Sequence, residues 1–138
     1  RSDAKGVHVD TEFPDSPVHV QGGELLRDAF ENILINGIQH NDKDVKQLLV
    51  AISMLQKDGT SLVKIEFKDN GNGIPDETKA SVFERGCKRS HSSGMGIGLS
   101  LVKEIIKGYG GSIRVEDRIE GNHSEGSNFV IVLKEARD

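Results

Sequence analysis

Asn32, Asn36 and His40 recur at four-residue steps in an otherwise apolar segment, so on a helix they form one polar stripe. An asparagine amide oxygen is a hard ligand suited to Mg²⁺, an ion that keeps several waters and takes one or two protein ligands plus substrate phosphates. Asp69 closes a branched apolar run and heads Asp69-Asn70-Gly71-Asn72-Gly73-Ile74. An ionised carboxylate only accepts hydrogen bonds, so it can take the exocyclic amino group of adenine but cannot serve guanine's carbonyl at that edge. Gly71 and Gly73 let the main chain turn tightly beside a ligand, and Ile74 would cover the face of a base. Gly94-Met95-Gly96-Ile97-Gly98-Leu99 precedes a second helical segment, where backbone N–H groups and the positive helix end favour phosphate. This loop lacks the Gly-Lys-Ser/Thr ending of a Walker A loop and the preceding strand of a dinucleotide fingerprint. Each piece alone is ordinary: buried asparagines are usually satisfied by backbone, Asp-Asn-Gly is common turn chemistry, and Phe83 would suit any core. In this order, metal ligand, base reader and phosphate cradle describe a nucleotide pocket.

The elements that must position these groups follow from periodicity. Leu25, Leu26, Phe30, Ile33, Leu34 and Ile38 recur at helical spacing, which predicts a helix from about Gly23 to Gln39. Val45 to Leu55 and Ser61 to Phe67 flank Asp58-Gly59 and predict a β-hairpin whose second strand runs into Asp69. Pro75-Asp76-Glu77 looks like the acidic start of a short helix ending near Phe83 or Glu84, followed by a loop from Arg85 to Gly94. A second long helix is expected over Ile97 to Tyr109, stopped by Gly110-Gly111. Strands at Ser112 to Val115 and Phe129 to Leu133 would be joined around Gly121-Asn122. Alternation at Val7/Val9 and Val18/Val20, separated by Pro14 and Pro17, predicts a small leading β-element.

Composition narrows the class. A chain of 138 residues suits one α/β core, and no apolar run approaches the roughly 20 residues that span a bilayer. With 18 basic against 22 acidic residues the net charge is −4, which does not favour a nucleic-acid surface. The lone Cys87 excludes an internal disulfide and agrees with a reducing compartment.

The segments containing Asn32 and Asn36, Asp69 to Gly73, Phe83-Glu84-Arg85, and Gly94 to Leu99 resemble the N, G1, F and G2 boxes of the catalytic ATP-binding domain of sensor histidine kinases. That family shares its fold with DNA gyrase, the heat-shock ATPase chaperones and the mismatch-repair ATPases. The resemblance implies a two-layer α/β sandwich, the Bergerat fold, with helices on one face of a mixed, largely antiparallel sheet. It implies that Asn36 holds Mg²⁺ with Asn32 assisting, that Gln39 and His40 border the nucleotide, and that Asp69 reads adenine beside Gly71, Gly73 and Ile74. Arg85 to Met95 becomes an ATP lid anchored by Phe83, with Lys88 or Arg89 near the triphosphate. Gly94, Met95, Gly96, Ile97, Gly98 and Leu99 cradle the phosphates. Ser127 stands where a threonine often supports the aspartate, and would act through its hydroxyl. The chain departs from the pattern at Gln39, usually lysine, at Gly37, usually alanine, and at Gly86-Cys87, where a second aromatic is common. Residues 1–138 are read as one domain excised from a longer protein.

Asn32 occupies the position where hydrolytic relatives carry a glutamate that activates water. An amide is no general base near neutral pH, and the adjacent Glu31 points about 100° away around the helix. Transfer to a histidine on a separate dimerisation domain of the same kinase is therefore expected, with a response regulator downstream. None of His8, His19, His40, His91 or His123 precedes an acidic residue as such an acceptor does. The expected ligands are ATP or ADP with Mg²⁺, in a monomeric, cytoplasmic fragment without nucleic-acid or direct membrane contact. A stand-alone anti-sigma-factor-type serine kinase and a non-catalytic nucleotide sensor are the alternatives.

Overall fold

In the computed structural model, which describes residues 6–84 and 98–136, five strands form one sheet in the order β1-β2-β3-β5-β4. The strands are β1 (Val7–Glu12), β2 (Lys46–Lys57), β3 (Thr60–Asp69), β4 (Ser112–Ile119) and β5 (Asn122–Lys134). The helices are α1 (Glu24–Gln39), α2 (Asp76–Lys79) and α3 (Leu99–Gly108). β1 lies parallel to β2 and the other pairings are antiparallel, giving the mixed, largely antiparallel sheet expected.

The β2–β3 hairpin turns across Asp58 and Gly59, with φ of 52° and 79°. Positive φ at both central residues is the requirement of the type I′ turn, whose twist matches that of the flanking strands. From this turn β3 alternates strictly: Val63, Ile65, Phe67 and Asp69 are buried, while the residues between them are half-buried. In β5, Leu133, Ile131 and Phe129 stand opposite Val63, Ile65 and Phe67, so both strands present one apolar face. α1 and α3 pack against each other and cover this face, with Ala29, Ile33, Val102 and Ile106 fully enclosed. Burial of each large side chain is worth about 1.5–3 kcal/mol, and Phe30 stacks tilted on Phe67 with ring centroids 5.7 Å apart. The opposite face carries Lys64, Glu66, Lys68, Arg114 and Glu116, which is why polar residues interrupt these strands.

Three expectations need correction. Val18 and Val20 form no strand: Pro14 and Pro17 remove ladder donors, and only Val20 makes an isolated bridge, to Glu135. The helix after Pro75 ends at Lys79, and the chain reaches Phe83 through four-residue turns closed by Ser81 N–H to Thr78 O at 3.0 Å and Glu84 N–H to Ser81 O at 2.9 Å. The last two strands extend well beyond their apolar centres, to Ile119 and from Asn122, because alternating polar residues still pair on the open side. The expected stop after α3 is a Schellman motif, in which Gly111 N–H donates to Ile106 O at 3.0 Å and Gly110, at φ 78°, donates to Lys107 O at 2.9 Å.

Candidate functional site

Asp69 is the last residue of β3, and the alternation that buries Phe67 carries its carboxylate to the helix-facing side, where it is 3% exposed. Its Oδ1 accepts Gly71 N–H at 2.9 Å and Ser127 N–H at 3.3 Å. α1 closes over it from above. A Cβ on Gly37 would stand 3.4 Å from Asp69 Oδ2 and 3.0 Å from Leu48 Cδ2, so the helix backbone lies directly against the carboxylate. Asn32 and Asn36 belong to the same buried face of α1 as Ala29 and Ile33. Asn32 Nδ2 donates to Asp28 O at 2.7 Å, one turn back. Asn36, Gly37, Asp69, Gly71 and Ser127 are thus brought to one place by α1, the end of β3 and the middle of β5.

The loop from Asn70 to Ile74 is fastened to the α1–β2 connection. Asn70 Oδ1 accepts both Asn41 Nδ2 and Gln47 N–H at 2.8 Å, and Asn70 Nδ2 donates to Val45 O at 3.1 Å. Lys43 Nζ donates to Asn70 O at 2.9 Å. Asn72 N–H reaches His40 O at 3.0 Å, and Asn72 Oδ1 accepts Asp42 N–H at 3.3 Å. Asn41, Lys43 and Gln47 were not singled out from the sequence, because a side-chain pair such as Asn41–Asn70, separated by 29 positions, leaves no local signal. The two loop glycines are required by the protein's own packing. A Cβ on Gly71 would lie 2.7 Å from His40 O, and at Gly73, with φ of 77°, the space is filled by the carbonyl of His123.

On the side toward the expected lid, Phe83 is half-buried, meets Phe129 edge-on at 6.1 Å and 87°, and has Lys103 Nζ 5.8 Å above its ring. Gly98 caps α3, its carbonyl accepting from Leu101 and Val102 at 3.1 Å, and Leu99 and Ile74 are buried. His40 is half-buried at the C-cap of α1, and Gln39 is exposed before it. Lys88, Arg89, Gly94, Met95, Gly96 and Ile97 lie outside the described residues, as do Arg85 and Cys87.

The donor set fits a nucleotide with a loosely held divalent ion. Ser127 contacts Asp69 through its backbone; its hydroxyl is buried with no hydrogen-bond partner among the described residues. A buried unpaired hydroxyl beside a buried carboxylate is a polar edge that a base could complete. Among the described residues no group of His, Cys, Asp and Glu side chains could enclose a metal. Asn32 and Asn36 offer amide oxygens, hard ligands of the kind that hold Mg²⁺ together with phosphates and water. Clefts of about 460 and 470 Å³ lie along β1 and β2 without Asp69 or Asn36 in their walls. Volume alone would point away from this chemistry, and the buried donor set is the stronger guide.

The buried strand-end carboxylate of Asp69 thus lies against the backbone of α1 at Gly37, on the helix that also buries Asn32 and Asn36. Residues 22–137 match the histidine kinase-, DNA gyrase B- and HSP90-like ATPases, and the chain belongs to that family. Within it, the chain is homologous to parts of sensor histidine kinases. It is 36% identical over 130 residues to the signal transduction histidine-protein kinase/phosphatase MprB of Mycolicibacterium paratuberculosis, spanning 92% of this chain and 24% of that protein. It is 31% identical over 142 residues to the signal transduction histidine-protein kinase ArlS of Staphylococcus haemolyticus, spanning 94% of this chain and 29% of that protein. Among solved structures, a mycobacterial sensor histidine kinase MprB superposes with a TM-score of 0.77 at 26% identity, covering 96% of this chain and 84% of that one. Full-length ShkA in complex with AMPPNP shares the fold, with a TM-score of 0.74 at 22% identity over 96% of this chain and 26% of that one.

Proposed function

We propose that this chain binds Mg²⁺-ATP between α1 and the end of β3 and passes the γ-phosphate to a histidine on a separate dimerisation domain of the same kinase. The supporting observation is the buried Asp69, fixed by Gly71 and Ser127 N–H groups directly beneath Gly37. An acceptor so placed orients the adenine amino group and disfavours guanine. Asn36 would hold Mg²⁺ with Asn32 assisting, and the bound ion would neutralise phosphate charge. Ile74 would cover the base, and Gly98-Leu99 at the start of α3 would present N–H groups to the phosphates. Asn32 offers no proton acceptor for water, so the phosphoryl group awaits a protein acceptor. The catalytic role belongs to the cytoplasmic side of a two-component system, with a response regulator downstream of the histidine.

The test supplies a histidine-bearing dimerisation domain in trans. Labelled γ-phosphate should reach that domain while this chain alone stays unlabelled and turns over ATP very slowly. Calorimetry should show Mg²⁺-dependent ATP and ADP binding, with GTP far weaker. Equal GTP affinity, or hydrolysis at gyrase-like rates, would overturn the reading.

A further inference from the structure

We propose that Lys79 is a positioning residue for the adenine edge: gripped by Asp117 of β4, its ammonium holds the Ile74 carbonyl and thereby fixes the Asp69–Ile74 loop. This rests on the nucleotide-binding role proposed above. Lys79 ends α2, and its side chain is 18% exposed. Its Nζ lies 2.8 Å from Ile74 O, 2.6 Å from Asp76 Oδ1 and 2.7 Å from Asp117 Oδ1. An ammonium has three donors, so three acceptors occupy it fully and leave none for a phosphate. The Asp117 oxygen, 2.7 Å from the ammonium, makes this contact an ion pair as well.

The two carboxylates differ in weight. Asp76 is 86% exposed, and such a surface pair contributes little, whereas Asp117 is 13% exposed and shielded from solvent screening. Asp117 stands opposite Ser127 in the β4–β5 ladder, immediately before the register shift between Asp117 and Ile119. A bulge re-aims side chains, and here one lies beside the carboxylate that meets α2. The same β4–β5 segment therefore holds both ends of the loop: Ser127 N–H binds Asp69 at its start, and Asp117 through Lys79 binds Ile74 at its end. Between them, Gly73 rests on the His123 carbonyl. The loop that would read adenine is thus spanned on one side by β4–β5 and on the other by the Asn41–Asn70 network.

The test compares ADP and GDP affinity of wild type, Lys79→Met, Asp117→Asn and Lys79→Arg by calorimetry, each below its unfolding temperature. Lys79→Met is expected to weaken ADP about tenfold while GDP, held by its phosphates, stays within about twofold, so base selectivity collapses. Asp117→Asn should move selectivity the same way, and Lys79→Arg should recover part of it. Unchanged ADP affinity in both Lys79→Met and Asp117→Asn, or equal losses for ADP and GDP, would overturn the positioning role and leave a purely structural one. Should Lys79→Met not fold, Asp117→Asn and Lys79→Arg carry the same selectivity readout. A wild type that does not bind ADP would overturn the nucleotide reading as well, which separates the two failures.

Discussion

Ser127 N–H donates to Asp69 Oδ1 at 3.3 Å, joining residues 58 positions apart. The bond continues the β3–β5 ladder beyond Lys68 and Asn128 by converting a strand-end pairing into a side-chain contact. The carboxylate that would read adenine is consequently part of the sheet's own hydrogen-bonding scheme, held at Oδ1 by Ser127 and Gly71 N–H.

Replacing Asp69 with Asn keeps an oxygen for the Gly71 and Ser127 donors but turns the other terminus into a donor facing an adenine amino group. ADP affinity should fall about 30- to 100-fold with a small change in melting temperature. Calorimetry alongside thermal unfolding separates the two effects, and retained ADP binding would exclude Asp69 as the base reader.

Ser127→Ala should act with opposite signs on stability and binding. The backbone N–H, not the hydroxyl, supports Asp69, so the variant keeps that bond and loses a buried hydroxyl without a partner among the described residues. Ligand-free stability should stay equal or rise by up to about 1 kcal/mol, while ADP affinity drops several-fold. Loss of both stability and affinity in denaturant titrations would contradict this.

Two glycines discriminate between kinds of crowding. At Gly71 an added methyl would meet the His40 carbonyl at 2.7 Å, and backbone cannot yield cheaply, so Gly71→Ala should destabilise by about 1–3 kcal/mol. At Gly37 the nearest atom is the tip of Leu48 at 3.0 Å, which can shift. There the helical preference for alanine, about 0.5–1 kcal/mol, offsets the crowding, and Gly37→Ala should be near neutral. Chemical denaturation of the pair checks the contrast.

The Lys79 cluster has a defined pH window. Burial by itself lowers the Lys79 pKa, but the hydrogen bonding and charge of Asp117 and Asp76 outweigh it and raise the ammonium above its ordinary value. A raised cation stabilises fully below the unfolded lysine value of about 10.4 and loses that contribution as pH climbs through the higher folded value. For Asp76 the Lys79 hydrogen bond, then its charge, lower the pKa, so its small contribution is present above about pH 3.9 and fades in stronger acid. The stability difference between wild type and Lys79→Met should therefore be flat from about pH 5 to 9 and shrink in stronger acid and in stronger alkali. A midpoint near neutrality in that difference would point to another group.

Much of the architecture was legible because it rests on periodicity. The branched run from Ser61 to Phe67 announced a strand leading into Asp69, and the four-residue spacing of Asn32, Asn36 and His40 placed the amides on one face of α1. Asp58-Gly59 announced its own turn. What escaped was set by distant partners. Nothing near Lys79 signals Asp117, nothing near Asn70 signals Asn41, and the solvent-facing polar residues that lengthen β4 and β5 look like loop. Phe83 was legible as an apolar anchor, but its partner Phe129 became evident only in the structure.

The order of strands has a consequence for assembly. β2 and β3 meet across a two-residue turn, whereas β3 meets β5 only after most of the chain between them, including α3 and β4, has been traversed. Local hairpins close in microseconds, and distant pairings carry a larger loop-closure cost and come later. The bond between Ser127 and Asp69 belongs to the late class. In a refolding experiment hairpin signals should precede competence for nucleotide, so ligand capture would time the final docking of β5 against the sheet's centre.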